Sequence, residues 1–182
     1  MPPVTQPVFS DIYPLDESYA ARGVEAPPID RVETVEVPEP YHSLLVHKAD
    51  MTSTLEKYYG EMLRIEVLTR ELRDNEYCRE TVLFLDRSKK RVEFGAIKIF
   101  LDLFPLEARQ EILRAGQPLG RILNGLNIPF ASRPRAFLRL TSDKFIDTAL
   151  QLQWAQLLYG RSNSLLDARG RPLAEIVEIL PP

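Results

Sequence analysis

The sequence has little of what metal or disulfide chemistry needs. It contains one cysteine, Cys78, and two histidines, His42 and His47, in 182 residues. A single cysteine excludes a disulfide within the chain, and these three residues cannot supply the four Cys/His ligands of a closed zinc site. The carboxylate spacing of calcium-binding loops is also missing. We therefore expect a reducing compartment and no bound metal.

Motifs for nucleotides and for covalent catalysis are missing as well. The segments GAIKIF and GRILNGLN lack the glycine spacing of a dinucleotide-binding or phosphate-binding loop. No G-x-S-x-G turn is present, and both histidines lie outside the predicted strands, so a serine-histidine triad is not supported. Because these motifs are absent, we predict a site that works without a cofactor.

Long apolar runs and an excess of positive charge are also absent. No run approaches the roughly 20 apolar residues that span a bilayer, and the N-terminus lacks the basic start and apolar core of a secretory signal. We expect a cytoplasmic protein. The net charge of -3 disfavours a nucleic-acid partner, although one arginine can still bind a carboxylate.

The composition changes near residue 40. Eight of the first 40 residues are prolines, each of which fixes φ and removes a backbone donor. We predict that residues 1–40 form an extended arm, partly disordered or lying on the surface of a domain made by residues 41–182. With 45% hydrophobic residues, the chain can bury one continuous core.

Hydrophobic patterns within 41–182 predict four helices and six strands. The helices are expected within 49–60, 106–116, 118–126 and 141–155, with Asp50 or Ser53 capping the first and Gly60 and Gly116 ending the first two. Strands are expected at 61–72, 79–86, 91–103, 133–140, 157–167 and 172–180. Most neighbouring strands are joined as hairpins, which predicts an α+β fold with a six-stranded antiparallel sheet and helices on one face.

Three features interrupt these patterns and are candidates for a site. Arg79 opens the apolar strand ETVLFL, and Glu178 interrupts the last strand, IVEIL. Pro118, Leu119 and Gly120 begin a helix, where free backbone N–H groups lie beside a glycine that permits close approach of a ligand. Taken singly, each feature also fits an ordinary ion pair, an exposed strand end or a plain helix start.

Read together, the segments resemble the chorismate pyruvate-lyase family. Four segments match in order: DMTSTLEKYYG, CRETVLF, GQPLGRIL and YGRSNSLLDARGRPLAEIVEILP. The most specific are the P-L-G-R-x-L helix and the aromatic-G-R-x-S strand that leads through a turn into the final P-L…E…L-P. The resemblance covers roughly residues 42–182 and leaves the proline-rich arm outside.

The resemblance implies a cofactor-free lyase of quinone biosynthesis that converts chorismate to 4-hydroxybenzoate and pyruvate. In that family an antiparallel six-stranded sheet holds an internal site under mobile flaps. Arg79 matches the arginine that holds the ring carboxylate, and Glu178 matches the glutamate near the product hydroxyl. Met51 and Leu119 match residues that enclose the ligand. We expect Glu178, set between apolar neighbours, to have a raised pKa, and we expect a monomer, with a dimer left open.

The sequence departs from the family in two places. Ala96 stands where enterobacterial members have a second arginine, and Lys98, two residues on, is expected to bind the second carboxylate in its place. Lysine is a poorer bidentate partner than arginine, which leaves the substrate open. The spacing from Pro172 is one residue longer than expected, so Glu175 is an alternative to Glu178.

Two other functions fit the same residues. The chorismate lyase fold also serves as the effector-sensing domain of some transcription regulators, which bind a small acid without converting it. Such regulators carry an N-terminal winged helix, and residues 1–40 do not predict one. The second alternative is a lyase that acts on a relative of chorismate.

Overall fold

A seven-stranded antiparallel sheet forms the centre of the computed structural model, which describes residues 9–182. The strand order is β1-β5-β6-β7-β4-β3-β2. The strands are β1 (Ile29–Val32), β2 (Leu63–Arg73), β3 (Glu76–Leu85), β4 (Arg91–Phe100), β5 (Ala131–Thr141), β6 (Leu157–Leu166) and β7 (Pro172–Leu180). The helices are α1 (Leu15–Ala21), α2 (Tyr41–Leu45), α3 (Met51–Tyr59), α4 (Leu106–Arg114), α5 (Leu119–Gly125) and α6 (Lys144–Leu150).

The predicted α+β class and antiparallel sheet are confirmed, with one strand more than predicted. The additional strand is β1, which pairs with β5 at the sheet edge, Ile29 opposite Leu140. Its four residues lie in the proline-rich segment, where proline usually marks irregular structure. An edge strand tolerates flanking prolines because one side needs no hydrogen-bonding partner.

Helix α1 also lies in the proline-rich segment and packs into the core. Leu15 and Tyr19 are buried against the sheet, and the Tyr19 hydroxyl donates to Asp143 at 2.8 Å. The predicted arm begins in residues 1–8, which lie outside the described residues. The boundary at residue 40 between this arm and a separate domain stays a prediction.

Successive strand side chains point to opposite faces, and both faces of this sheet are buried. We call the face that carries Arg79, Ile97 and Ile176 the site face; it is covered by α2, α3, α4 and α5. The other, the rear face, carries Phe94 and Val177 and is covered by α1 and α6. Helices therefore lie on both faces, whereas the sequence predicted them on one.

Local signals for the helix ends were partly right. Asp50 caps α3 by accepting a hydrogen bond from the Ser53 backbone N–H at 2.9 Å, and Gly60 ends the helix at φ 62°. Helix α4 ends one residue earlier than predicted, because Ala115 and not Gly116 takes the left-handed conformation, at φ 56°. Within residues 9–182, no helix is both long and apolar enough to cross a membrane.

Candidate functional site

A cavity lies between the site face and the first turns of α3 and α5, with about 550 Å³ of empty space, part of it open to solvent. Its lining comes from five strands and from two helix starts. The lining residues are Asp50, Met51, Thr52, Ile65, Arg79, Thr81, Leu83, Glu93, Gly95, Ile97, Pro118, Leu119, Gly120, Asn163, Leu165, Ile176 and Glu178.

Strand register brings Arg79 and Glu178 to the same cavity. Arg79 lies opposite Ile97, and Gly95, two residues back on β4, lies opposite Glu178 on β7. Their Cα atoms are therefore two strands apart, roughly 10 Å, and one pleat apart along the strands, roughly 7 Å. Both side chains line the cavity.

Arg79 is a buried cation without a counter-ion in the part of the chain that the structure describes. It is 4% exposed, and its Nη2 makes a long contact of 3.4 Å to the Gln117 carbonyl oxygen. Nε and Nη1 are buried and make no hydrogen bond of normal geometry among residues 9–182, although the nearby Tyr77 side chain partly opposes the effect of burial on the pKa of Arg79. Burial lowers the pKa of Arg79, yet a guanidinium remains protonated at neutral pH. An unpaired buried charge is costly, so this position favours an anion.

Glu178 is not free, because it is paired with Arg161. Arg161 Nε donates to Glu178 Oε2 at 2.5 Å, and Arg161 is fully buried, at 0% exposure. Sequence reasoning missed this partner. Counting outward from the predicted turn at Ala168-Arg169-Gly170 places position 161 opposite 177, and a register shift between Leu165 and Leu166 brings Glu178 opposite Arg161 instead.

Arg161 also holds the segment that leads into α3. Its Nη1 donates to the carbonyl oxygens of Leu45 and His47 at 3.2 and 3.1 Å, and its Nη2 to that of Ala49 at 3.3 Å. The next residue, Asp50, begins the part of the chain that lines the cavity. One guanidinium thus connects a cavity carboxylate to the loop beside the cavity.

Glu93 is a second buried carboxyl group in the cavity that sequence reasoning missed. Burial raises its pKa well above the ordinary value of 4.5, the neighbouring Glu178 raises it further, and Arg161 opposes both. Burial and the nearby Glu178 therefore favour the protonated form of Glu93, which is able to donate a hydrogen bond. Its signal in the sequence was a single carboxyl group inside the apolar run VEFGAIKIF.

The other predicted site residues divide into two groups. Met51, Leu119 and Gly120 line the cavity, as placed by the resemblance. At Gly120, a Cβ atom would lie 2.8 Å from Asp50 Oδ1, so the glycine allows α5 to pack against the capping residue of α3. Whether these residues contact a ligand stays a prediction.

Lys98 requires a correction, since it does not point into the cavity. It lies on the rear face, where its Nζ is 2.5 Å from Glu17 Oε2 and 3.4 Å from Glu76 Oε2. Its cross-strand partner Cys78 adjoins Arg79, and adjacent strand residues face opposite ways. Ala96 also faces the rear core, so Lys98 does not replace a second arginine of the site.

Glu175, the alternative to Glu178, also lies on the rear face. Its Oε2 accepts from the Ser164 hydroxyl at 2.7 Å and lies 3.1 Å from Arg135 Nε. Glu178 is therefore the glutamate that meets Arg79 in the cavity.

The sequence matches no protein-family model and no curated protein. Solved structures do match. PhnF from Mycobacterium smegmatis aligns over 75% of this chain and 65% of its own, with a TM-score of 0.58 and 12% identity. A gene product of Staphylococcus aureus, SA0254, aligns over 69% and 86%, with a TM-score of 0.54 and 12% identity. The possible transcriptional regulator YydK from Bacillus subtilis aligns over 65% and 57%, with a TM-score of 0.51 and 10% identity.

The fold is chorismate lyase-like. At 10–12% identity the similarity establishes the fold alone. The chain spans less than two thirds of the length of PhnF and of YydK, at 65% and 57%.

The expectation that this chain is a chorismate pyruvate-lyase is wrong. One matching structure, YydK, is described as a possible regulator of transcription, and this contradicts the interpretation of the chain as an enzyme. The site agrees with this correction. Glu178 accepts a hydrogen bond from Arg161, and position 96 is an alanine that faces the rear core, so it supplies no second arginine to the site.

Proposed function

We propose that this chain is a non-catalytic domain that binds a small, largely apolar carboxylate in the cavity and serves as a sensor of it. The observation that carries the proposal is the buried guanidinium of Arg79, whose Nε and Nη1 have no partner among residues 9–182. A buried guanidinium with unused N–H donors suits a carboxylate, which accepts charge-assisted hydrogen bonds from arginine.

The charge of the cavity supports a ligand with a single negative charge. Arg161 and Glu178 neutralise each other, and burial favours the uncharged form of Glu93. Asp50 is engaged at the start of α3, where a carboxylate offsets the helix dipole. Arg79 is thus left with a positive charge that the cavity itself does not balance.

The remaining walls support an apolar body for the ligand. Leu83, Ile97, Leu119, Leu165 and Ile176 surround the polar groups. Ligand sites of this kind combine apolar walls with a few placed polar groups that fix orientation. A benzene ring with one carboxylate has this distribution of charge and apolar surface.

The likeness to regulators supports sensing over turnover. YydK is described as a possible transcriptional regulator, and it shares the fold with this chain. Fold alone does not determine function, so the pairing of Glu178 adds an independent argument. Its carboxylate is already engaged by the buried Arg161 and does not extend free into the cavity.

Titration calorimetry with benzoate, 4-hydroxybenzoate, cyclohexanecarboxylate and the uncharged benzamide tests the proposal. We expect the carboxylates to bind and benzamide not to bind. Arg79→Gln should weaken carboxylate binding roughly 10- to 100-fold, the contribution of a charged hydrogen-bonded pair. Arg70→Gln is the matched control, because Arg70 lies directly across from Arg79 on β2 and is exposed.

Three outcomes would count against the proposal. One is the absence of binding by every carboxylate of the panel. Another is equal loss of affinity in the Arg70 and Arg79 variants. The third concerns turnover: the bound ligand, recovered after incubation and analysed by mass spectrometry, should be unchanged, and a new product would remove the non-catalytic assignment.

A further inference from the structure

The cavity contains a second polar group without a partner, at the end away from Arg79. Glu93 is 5% exposed, and its Oε2 is buried with no hydrogen-bonding partner in the described part of the chain. On β4 it lies four residues before Ile97, the cross-strand partner of Arg79. The Cα atoms of Glu93 and Arg79 are therefore roughly 14 Å apart, from about 13 Å along the strand and about 5 Å across.

The local geometry holds the Glu93 carboxyl group at the cavity. A Cβ atom placed on Gly95 would lie 3.2 Å from Glu93 Oε1 and 3.4 Å from the Thr81 hydroxyl oxygen. The absence of a side chain at Gly95 therefore leaves the room that the carboxyl group occupies. Gly95 and Glu93 both line the cavity, so the carboxyl group borders the space available to a ligand.

Burial, more than any charged neighbour, favours the neutral acid form of Glu93. Glu178 on β7 and Arg161 on β6 are the charged groups that act on it, and they are already joined to each other. In its neutral form the Glu93 carboxyl group has an O–H to donate. A buried donor without an acceptor costs free energy, and a ligand oxygen would remove that cost.

We propose that Glu93 is a specificity-determining residue that donates a hydrogen bond to an acceptor oxygen on the ligand, at the end opposite its carboxylate. This inference rests on the proposed function, because it assigns the second end of the same ligand. The preferred class is an aromatic carboxylate bearing a hydroxyl or carbonyl oxygen. An unsubstituted or alkyl-substituted benzoate leaves the Glu93 O–H unpaired and binds more weakly.

The test compares 4-formylbenzoate, whose added group only accepts hydrogen bonds, with 4-methylbenzoate, whose added group neither accepts nor donates them. The 3-substituted isomers of both are measured as well. Affinities are measured by titration calorimetry near neutral pH. We expect the better formyl isomer to bind roughly 3- to 10-fold more tightly than its methyl counterpart, the contribution of one neutral hydrogen bond.

Two variants connect this preference to Glu93. Glu93→Gln keeps an N–H donor, so the preference for the formyl ligand should remain. Glu93→Met has a similar length and no donor, so the preference should disappear while both benzoates still bind. Circular dichroism and thermal melting of each variant confirm that it is folded, and Glu93→Leu, which also lacks a donor, replaces the Met variant if that variant does not fold.

The outcomes separate this inference from the proposed function. If carboxylates bind through Arg79 but the formyl preference is absent, or survives in Glu93→Met, the role of Glu93 is overturned and the proposed function stands. A preference for the donor-bearing 4-aminobenzoate over 4-formylbenzoate also overturns it, because Glu93 would then be an acceptor. Failure of every benzoate to bind overturns the proposed function itself.

Discussion

The two faces of the sheet treat buried charge differently. On the rear face, Glu80 pairs with Arg22, Lys98 with Glu17, and Glu175 with Arg135. On the site face, Arg161 and Glu178 pair with each other. Arg79 has no ion-pair partner among the described residues.

The comparison teaches that a buried charge without a counter-ion, more than buried charge as such, indicates where a ligand binds. Folding normally leaves few buried polar groups unsatisfied, because each costs the free energy of its lost hydration. Both ends of the cavity carry such a group, the Arg79 guanidinium and the Glu93 carboxyl group. The rear-face ion pairs, by contrast, balance their own charges, although Glu80 Oε1 and Arg135 Nε also lack a hydrogen-bonding partner among the described residues.

The largest effect on the difference between the two faces is expected when Arg161, the counter-ion of Glu178 on the site face, is removed. Arg161→Met leaves Glu178 ionised and buried beside Glu93, and it releases the carbonyl groups at Leu45, His47 and Ala49. We expect the free energy of unfolding to fall by about 3–5 kcal/mol, the usual cost of breaking a buried pair. Urea denaturation measures this loss.

A double variant is the control for the charge itself. Arg161→Met with Glu178→Gln removes the uncompensated carboxylate, so it should recover part of the stability. A single variant that loses less than about 1 kcal/mol would mean that Arg161 does not balance the site face.

A smaller loss is expected where β6 and β7 approach closely on the rear face. A Cβ atom on Gly160 would collide with the Glu178 carbonyl oxygen and lie 3.2 Å from Ile179 Cγ1. Gly160→Ala should therefore destabilise the protein by about 1–3 kcal/mol, as overpacking does. At the matched control, Gly116→Ala, nothing lies within 4 Å of the added atom, so equal melting temperatures for the two variants would contradict the expected clash.

The fold was largely predictable because its strands have clear patterns. Six of the seven strands were predicted, since hairpin-linked apolar runs determine both the strands and their antiparallel pairing. The resemblance also placed Arg79 and Glu178 at one site before the register was known. Strand β1 and helix α1 were missed because proline density outweighed the short apolar segments of residues 9–40.

The errors within the site have one physical source, which is strand register. A shift of one residue turns every side chain of a strand to the other face, so the sequence did not determine which face Lys98 or Glu175 occupies. The proximity of Glu93 to Glu178 depends on β7 lying beside β4, a contact between strands about 80 residues apart in the chain. No local pattern reports such a contact.

The pH dependence of stability tests whether Glu93 on the site face is protonated in the folded protein. Its pKa is raised in the folded protein, so above the ordinary glutamate pKa the unfolded chain ionises while the folded protein keeps the proton. Stability is therefore lost as pH rises from the ordinary value toward the folded pKa. Glu93→Gln removes this loss. The margin between the free energies of unfolding of this variant and of the unmodified protein should grow in favour of the variant through this range, by no more than about 1.4 kcal/mol per pH unit.

Thermal melting at a series of pH values measures the margin. Subtracting the stability of one protein from that of the other at each pH cancels the titration of the groups that they share, since Glu178 keeps its pairing with Arg161 in both. A margin that stays constant with pH would mean that Glu93 is ionised in the folded protein, which would also remove its ability to donate a hydrogen bond.

The smallest effect is expected on the rear face, at Lys98. Its side chain is 8% exposed, but its partners Glu17 and Glu76 are about half exposed, at 52% and 49%, and water solvates them once the lysine is removed. Lys98→Met should therefore cost about 1 kcal/mol or less, the range measured for partly solvated pairs. Carboxylate affinity should not change, because Lys98 faces away from the cavity. Calorimetry with benzoate, run beside Arg79→Gln, checks this, and a loss of affinity matching that of Arg79→Gln would mean that the two faces are not independent.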